Sequence, residues 1–201
     1  MNGRKNFGAV LQAASSGEES AWRTLYDELS PALLGYLRAR HAAHPEDLLG
    51  EVMLQIVRDL ESFAGSKRDF RAWAFTIAHH RLLDERRRHG RRPAEPVPPP
   101  EIERLGPRGD AEEDALRTLS AERVGRLLAQ LSHDQQNVIL LRVLGDLTCE
   151  EVAQVIDNTP GAVKQLQRRG FEAIRAELER ERVTISAPPA LTKVRWALNR
   201  K

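Results

Sequence analysis

Between residues 90 and 114 the chain reads GRRPAEPVPPPEIERLGPRGDAEED, and six of its 11 prolines fall inside that stretch. Proline fixes φ and lacks an N–H, and the few apolar residues here follow no helical or strand period. The segment therefore cannot close a core of its own. It divides the 201 residues into two parts, each of which must find its own packing. Helical periodicity fills both flanks, and no strand-like alternation of useful length occurs. The expected fold is all-α: two small helical domains on a Pro-rich flexible linker. The boundaries read as an N-terminal domain over 1–92, a linker over 93–112, a C-terminal domain over 113–182 and a tail over 183–201, where Ala190, Leu191, Val194, Ala197 and Leu198 at helical spacing predict a short amphipathic helix.

In the N-terminal part, Trp22, Leu25, Tyr26 and Leu29 sit at i, i+3, i+4 and i+7, and Ser30-Pro31 reads as a restart for a helix bearing Leu33, Leu34 and Leu37. Pro45 opens PEDLLGEVMLQIVRDLESF, where Glu46 and Asp47 suit the positive end of a helix dipole and Leu49, Val52, Ile56 and Leu60 form the inward stripe. A loop over 62–69 precedes a helix expected to start at Phe70, with Trp73, Ala74, Ile77 and Ala78 turned inward. That helix runs into RLLDERRRHGRR, six arginines against Asp84 and Glu85.

In the C-terminal part, Leu116, Leu119, Val124, Leu127, Leu128 and Leu131 carry the helical signal. Ser132 with Gln135 and Thr148 with Glu151 are capping boxes, each opening a helix, and Gly145-Asp146 ends the first of the two. Asp157-Asn158 supplies turn chemistry, and Asn158 is expected to take the left-handed conformation. Thr159 caps a further helix with Pro160 at its first position. There Val163, Leu166, Gly170 and Ile174 face inward, and Gly161, Lys164, Gln165, Arg168 and Glu172 face out. Two helices on a tight turn, the second presenting small, cationic and amide groups near its start, are what a helix-turn-helix brings to a major groove. On these residues alone a helical hairpin with a solvated charged face stands as the alternative.

A net charge of +2 puts any nucleic-acid contact in local clusters rather than in the field of the whole molecule. The single cysteine, Cys149, cannot form an internal disulfide and reads as a structural thiol. No apolar run approaches the ~20 residues that span a bilayer, so no membrane insertion is expected and the compartment reads as cytoplasmic. Adjacent His79 and His80 would point about 100° apart on a helix and cannot chelate one metal; a solvated or phosphate-contacting role is expected for them. Neither a cofactor nor a metal is expected.

The segments PEDLLGEVMLQI, FRAWAFTIAHHRLLDERRR and LSHDQQNVILLRVLGDLTCEEVAQVIDNTPGAVKQLQRR, in this order and around such a linker, resemble the two-domain bacterial sigma factors of the extracytoplasmic-function (ECF) group. The resemblance implies promoter specificity lent to RNA polymerase, with no catalysis by the chain itself. It implies that Asp47, Glu51 and Gln55 bind the polymerase clamp. For the downstream (minus-ten) element and its melting it implies Phe63, Lys67, Arg68, Arg71, His80, Arg81, Asp84, Arg87 and Arg88. For the upstream (minus-thirty-five) element it implies Thr159, Pro160, Gly161, Lys164, Gln165, Arg168 and Arg169. Phe70 and Trp73 are expected in the core. The partners so implied are core RNA polymerase (clamp and flap), promoter DNA and an anti-sigma factor. The family places Gly where this chain has Asp157, and often Arg-Asn where it has His79-His80.

Two other classes compete. An enzyme would use Glu46-Asp47 or Glu150-Glu151 as acid and base, but both pairs lie in first helical turns, where the dipole accounts for them, and no His, Ser or Cys constellation accompanies them. A stand-alone helix-turn-helix regulator is the remaining alternative; it would bind its duplex without polymerase.

Overall fold

A computed structural model describes residues 7–90 and 122–186. The order is α1 (Phe7–Ser15), α2 (Glu19–Ala39), α3 (Pro45–Asp59), a 3-10 turn (Leu60–Ser62) and α4 (Lys67–Gly90), followed by α5 (residues 122–129), α6 (His133–Val143), α7 (Cys149–Val155) and α8 (Pro160–Ser186). All the described elements are helical, in two groups on either side of the Pro-rich stretch. Most of that stretch, Leu116 and Leu119, and the expected amphipathic tail helix lie outside the described residues.

Several helix starts follow their local chemistry. Ser132 accepts from the Gln135 N–H while Gln135 reaches back to the Ser132 N–H at 2.9 Å, and Thr148 and Glu151 exchange the same pair of bonds. Thr159 Oγ1 accepts from the Ala162 N–H at 3.2 Å, with Pro160 at the first helical position of α8. The helix expected at Phe70 begins three residues earlier. Asp69 accepts from both the N–H and the hydroxyl of Ser66, at 2.8 and 2.7 Å, and so pins the first turn of α4.

Pro31 does not restart a helix: it sits inside α2, on the exposed side. Burial of Leu25, Leu29, Leu33, Tyr36 and Leu37 along the opposite face outweighs the one backbone bond that proline removes. Two residues assigned inward face solvent instead: Tyr26 lies off the buried stripe of α2, and Val124 is exposed on α5, where Leu127 and Leu128 are half-buried. The left-handed turn residue is Asp157, at φ 51°, rather than Asn158, whose Oδ1 instead accepts from the Thr159 N–H at 2.8 Å.

The two helical groups do not stand apart. Leu33, Tyr36, Val52, Ile56, Phe75 and Leu82 on one side and Val138, Leu141, Leu147, Val152 and Val163 on the other belong to one continuous apolar cluster. α4 packs on α7, and α2 on α6. Gly145 is needed at the end of α6, since a Cβ there would lie 2.4 Å from the Leu141 carbonyl oxygen.

Candidate nucleic-acid and polymerase interface

α7, a turn over 156–159 and α8 form the helix-turn-helix expected from sequence. Val163 is fully buried and anchors α8, which approaches α6 so closely that a Cβ on Gly170 would come 3.2 Å from Ile139 Cγ1. Leu166 and Ile174 are half-buried. The opposite side is exposed throughout Thr159, Pro160, Gly161, Lys164, Gln165, Arg168 and Arg169. Lys164 lies 3.3 Å from Glu150 of α7, and Arg168 lies 2.9 Å from Glu172 one turn on. Both ion pairs are solvent-exposed, so they cost little to exchange for a phosphate. Cys149 is partly buried and its Sγ donates to Gln167 Oε1 at 3.3 Å.

The arginine-rich helix α4 splits its polar residues between two sides, as 100° per residue requires. His80, Asp84 and Arg87 share an exposed stripe, with Arg87 3.1 Å from Asp84. At the head of that stripe Trp73, partly buried, stacks on Phe63 with centroids 5.2 Å apart, and Phe70, fully in the core, touches both rings. Lys67 lies 2.6 Å from Glu28. Beside this stripe Arg81 and Arg88 turn toward α3. Arg81 Nε donates to Gln55 Oε1 at 2.9 Å, and Arg81 and Arg88 lie 3.8 and 4.0 Å from Glu51. Two sets assigned separately, Glu51 and Gln55 on one helix and Arg81 and Arg88 on the next, are therefore in contact. Asp47 is exposed on the same face of α3.

Sequence reasoning missed two residues on that face. Leu54 is 58% exposed and Val57 47% exposed, and Leu54 lies between Asp47, Glu51 and Arg58 on the helix surface. Large apolar side chains held in water amid a polar rim mark an interaction surface. Their place outside the i, i+3, i+4 stripe of Leu49, Val52 and Ile56 was the available signal.

The other side of α4 meets the C-terminal helices. Arg68 Nε donates to Glu151 Oε1 at 2.8 Å; Arg71 donates to the carbonyls of Gly145, at 2.6 Å, and Leu144, at 2.8 Å. Further along, His79 is buried, against the expectation of a solvated pair; only His80 is exposed. Burial first, and then the positive charges around it, lower the His79 pKa to about 4, so it is neutral near pH 7. Arg40, 1% exposed, donates from Nη1 to Gln136 Oε1 at 2.5 Å and lies 2.6 Å, through Nη2, from His133 Nδ1. Its burial, with Arg86 nearby, brings its pKa down to about 10, and it still carries its charge at neutral pH. Arg86 donates to the Arg40 carbonyl and lies 2.8 Å from His133 Nε2.

Among the described residues no group of His, Cys, Asp and Glu is arranged to hold a metal, and no helix is long and apolar enough to cross a membrane.

Comparison with known proteins gives this geometry its context. Residues 25–92 match the family model for Sigma-70 region 2, and residues 127–176 the model for Sigma-70, region 4. The chain is 34% identical over 185 residues to the ECF RNA polymerase sigma factor ShbA of Streptomyces griseus, an alignment covering 86% of this chain and 95% of that protein. It is 30% identical over 179 residues to the ECF RNA polymerase sigma factor SigD of Mycobacterium tuberculosis, covering 85% of this chain and 82% of that one. The solved structure of CnrH in complex with the cytosolic domain of CnrY shares the fold, with a TM-score of 0.60 at 22% identity over 86% of this chain and 96% of CnrH. The stand-alone regulator gives way to these matches, which span both helical groups, and so does the enzyme, since a sigma factor catalyses no reaction itself. The chain belongs to the ECF RNA polymerase sigma factors, transcription initiation factors that give RNA polymerase its promoter specificity.

Proposed function

We propose that three surfaces of this sigma factor divide the work of initiation. The exposed face of α3, with Leu54 at its centre and Asp47 and Glu51 around it, docks on the clamp of core RNA polymerase. Gln55 sits at the edge of that contact and holds Arg81 in place. The observation that carries this assignment is Leu54, whose side chain is left in solvent although helix-helix packing is available nearby. The C-terminal helices contact the flap.

The outward side of α4 and the loop before it hold the melted downstream element. Single strands are bound by aromatic faces that stack bases and cations that meet phosphates, and Phe63, Trp73, Lys67, His80, Arg81, Arg87 and Arg88 supply both. Phe63 acts here through a ring already stacked on Trp73, which gives a base a rigid edge to meet. α8 reads the upstream element as duplex. Its N-terminal residues Thr159, Pro160 and Gly161 bring the backbone close to phosphates, Lys164 and Gln165 reach base edges, and Arg168 and Arg169 meet the backbone.

The protein partners are core polymerase and an anti-sigma factor that competes for the α3 face, and the site of action is the cytoplasm. The domain boundaries given from sequence, 1–92 and 113–182, serve as the working division. A pull-down of core polymerase tests the first surface. Leu54→Asp and Glu51→Lys should each weaken core binding, and Glu19→Ala, at the exposed start of α2 and outside the proposed surfaces, should not. Undiminished binding by Leu54→Asp would remove α3 from the interface.

A further inference from the structure

The match to region 2 begins at residue 25, so α1 lies outside it, yet α1 reaches the face given to the melted strand. Phe7, Val10, Leu11 and Ala14 fall at i, i+3, i+4 and i+7, and this is the side that packs: Val10 and Ala14 are buried, Phe7 and Leu11 half-buried. Its 9 residues are too few for a helix to hold itself in water, so α1 exists by its contacts with α2 and the 3-10 turn. Its far end is fixed as well. The Glu18 N–H donates to the Ala13 carbonyl and the Gly17 N–H to the Ala14 carbonyl, both at 2.9 Å, with Gly17 left-handed at φ 84°. This pair of bonds is a Schellman stop, and it sets the angle between α1 and α2.

At its first residue α1 joins a chain of aromatic rings. Phe7 lies 5.5 Å from Phe70, centroid to centroid, and Phe70 lies 5.3 Å from Phe63 and 5.6 Å from Trp73. Phe63 and Trp73 are the stacked pair assigned to the strand, and Phe70 is the buried ring that both touch. The loop is in turn built on Phe63: a Cβ on Gly65 would lie 3.0 Å from Phe63 Cζ and 2.9 Å from Asp69 Cβ, and Asp69 holds Ser66. Interiors this closely packed pass a displacement on rather than absorb it. A shift of Phe70 into the place of Phe7 therefore moves Phe63, and with it the backbone over 63–66. Lys67 and Phe7 line one cleft with Leu25 and Phe70, and Glu28 of α2 holds Lys67 there.

We propose that α1 supports the strand-holding face and that Phe7 is a positioning residue for recognition of the downstream element: through Phe70 it fixes where Phe63 and the loop over 62–66 stand, without touching DNA itself. The proposal rests on the assignment of that loop and α4 to the downstream element. Reading a base demands more of the protein than holding a strand does. A phosphate accepts a cation over a range of positions, whereas one base is told from another only if the opposing groups keep their place to a fraction of an ångström. Loss of the support is therefore expected in base discrimination first and in overall binding second.

Run-off transcription by the full chain with core polymerase tests this, on templates that share one upstream element and differ by single bases in the downstream one. A second set varies the upstream element alone. The ratio of transcript between templates is read, because a drop in folded protein lowers every template alike and leaves the ratio unchanged. Phe7→Ala should cut the discrimination at one or more downstream positions by about threefold or more, while upstream discrimination and core binding in a pull-down stay as they were. Phe7→Leu, which keeps an apolar side chain against Phe70, should restore most of it. Phe7→Val, a smaller truncation, gives the same reading should Phe7→Ala fail to fold. Unchanged downstream ratios in Phe7→Ala and Phe7→Val, whatever the total transcript, overturn the proposal. Phe63→Ala separates its failure from that of the assignment beneath it. Ratios flattened by Phe63→Ala and untouched by Phe7→Ala strike the role of α1 alone; ratios untouched by both strike the assignment of the loop as well.

Discussion

The hydroxyl of Tyr36 lies 2.8 Å from Nδ1 of His79, with both side chains buried between α2 and α4. A neutral imidazole can accept from that hydroxyl; an imidazolium cannot, and it would stand close to Arg40 and Arg86 in a poorly solvated place. The pair works only with His79 uncharged.

A pH dependence follows. The unfolded chain takes up the proton at about 6.5 and the folded one at about 4, so the folded state binds fewer protons between those values. Stability is full above the upper value and falls as pH drops through the window, by up to about 3 kcal/mol. His79→Gln should remove most of that slope, as read from urea midpoints at pH 7.5 and pH 5.

His133 should act in the same direction on the junction between the two halves. Burial and the nearby Arg40 and Arg86 lower its pKa. An imidazole offers at most one acceptor nitrogen, so both guanidiniums cannot be satisfied even when it is neutral, and protonation leaves none. Scattering should show the chain expanding in His133→Lys at pH 7.5, whereas His133→Gln should stay compact there.

On α8, stability and DNA binding should separate by face. Val163 is fully buried, so Val163→Ala should cost on the order of 2 kcal/mol, while half-buried Leu166 should cost less than a core leucine does. Arg168→Ala should leave the melting temperature nearly unchanged and reduce the salt slope of upstream-element binding by about one ion. Titrations at several salt concentrations, beside thermal melts, would check the division.

The start of α4 depends on a single turn. Ser66→Ala removes the hydroxyl that donates to Asp69 and should cost ~1 kcal/mol, with loss of amide protection concentrated over residues 66–70. Hydrogen exchange would read it directly.

Much of this architecture was legible in the residues. The capping boxes at Ser132 and Thr148, Pro45 and Pro160 at first helical positions, and the face of α8 are local signals, and local signals survive folding. S-x-x-D at Ser66 was a signal of the same kind, and it marks the true start of α4. What could not be read locally was the packing between distant segments. Pro31 stays in a helix because its opposite face is buried by other helices. His79 is buried because Tyr36, 43 residues away, closes over it. Arg68 and Arg71 look like free cations until α6 and α7 are placed against them, and the linker suggested separation where the apolar cluster is continuous. Leu54 and Val57 were passed over for the reverse reason, that a helical stripe names what is inside and is silent about apolar residues left outside.

The central claim is that this chain gives RNA polymerase its choice of promoter through α8 and α4 together. Run-off transcription with purified core polymerase on a set of promoter templates tests it most directly. The expected result is a discrete transcript from particular templates only when the protein and core are both present, abolished by Leu54→Asp and strongly reduced by Arg168→Ala. Transcription by core that is unchanged by the protein on every template, or specific duplex binding by the protein that represses without core, would contradict the account.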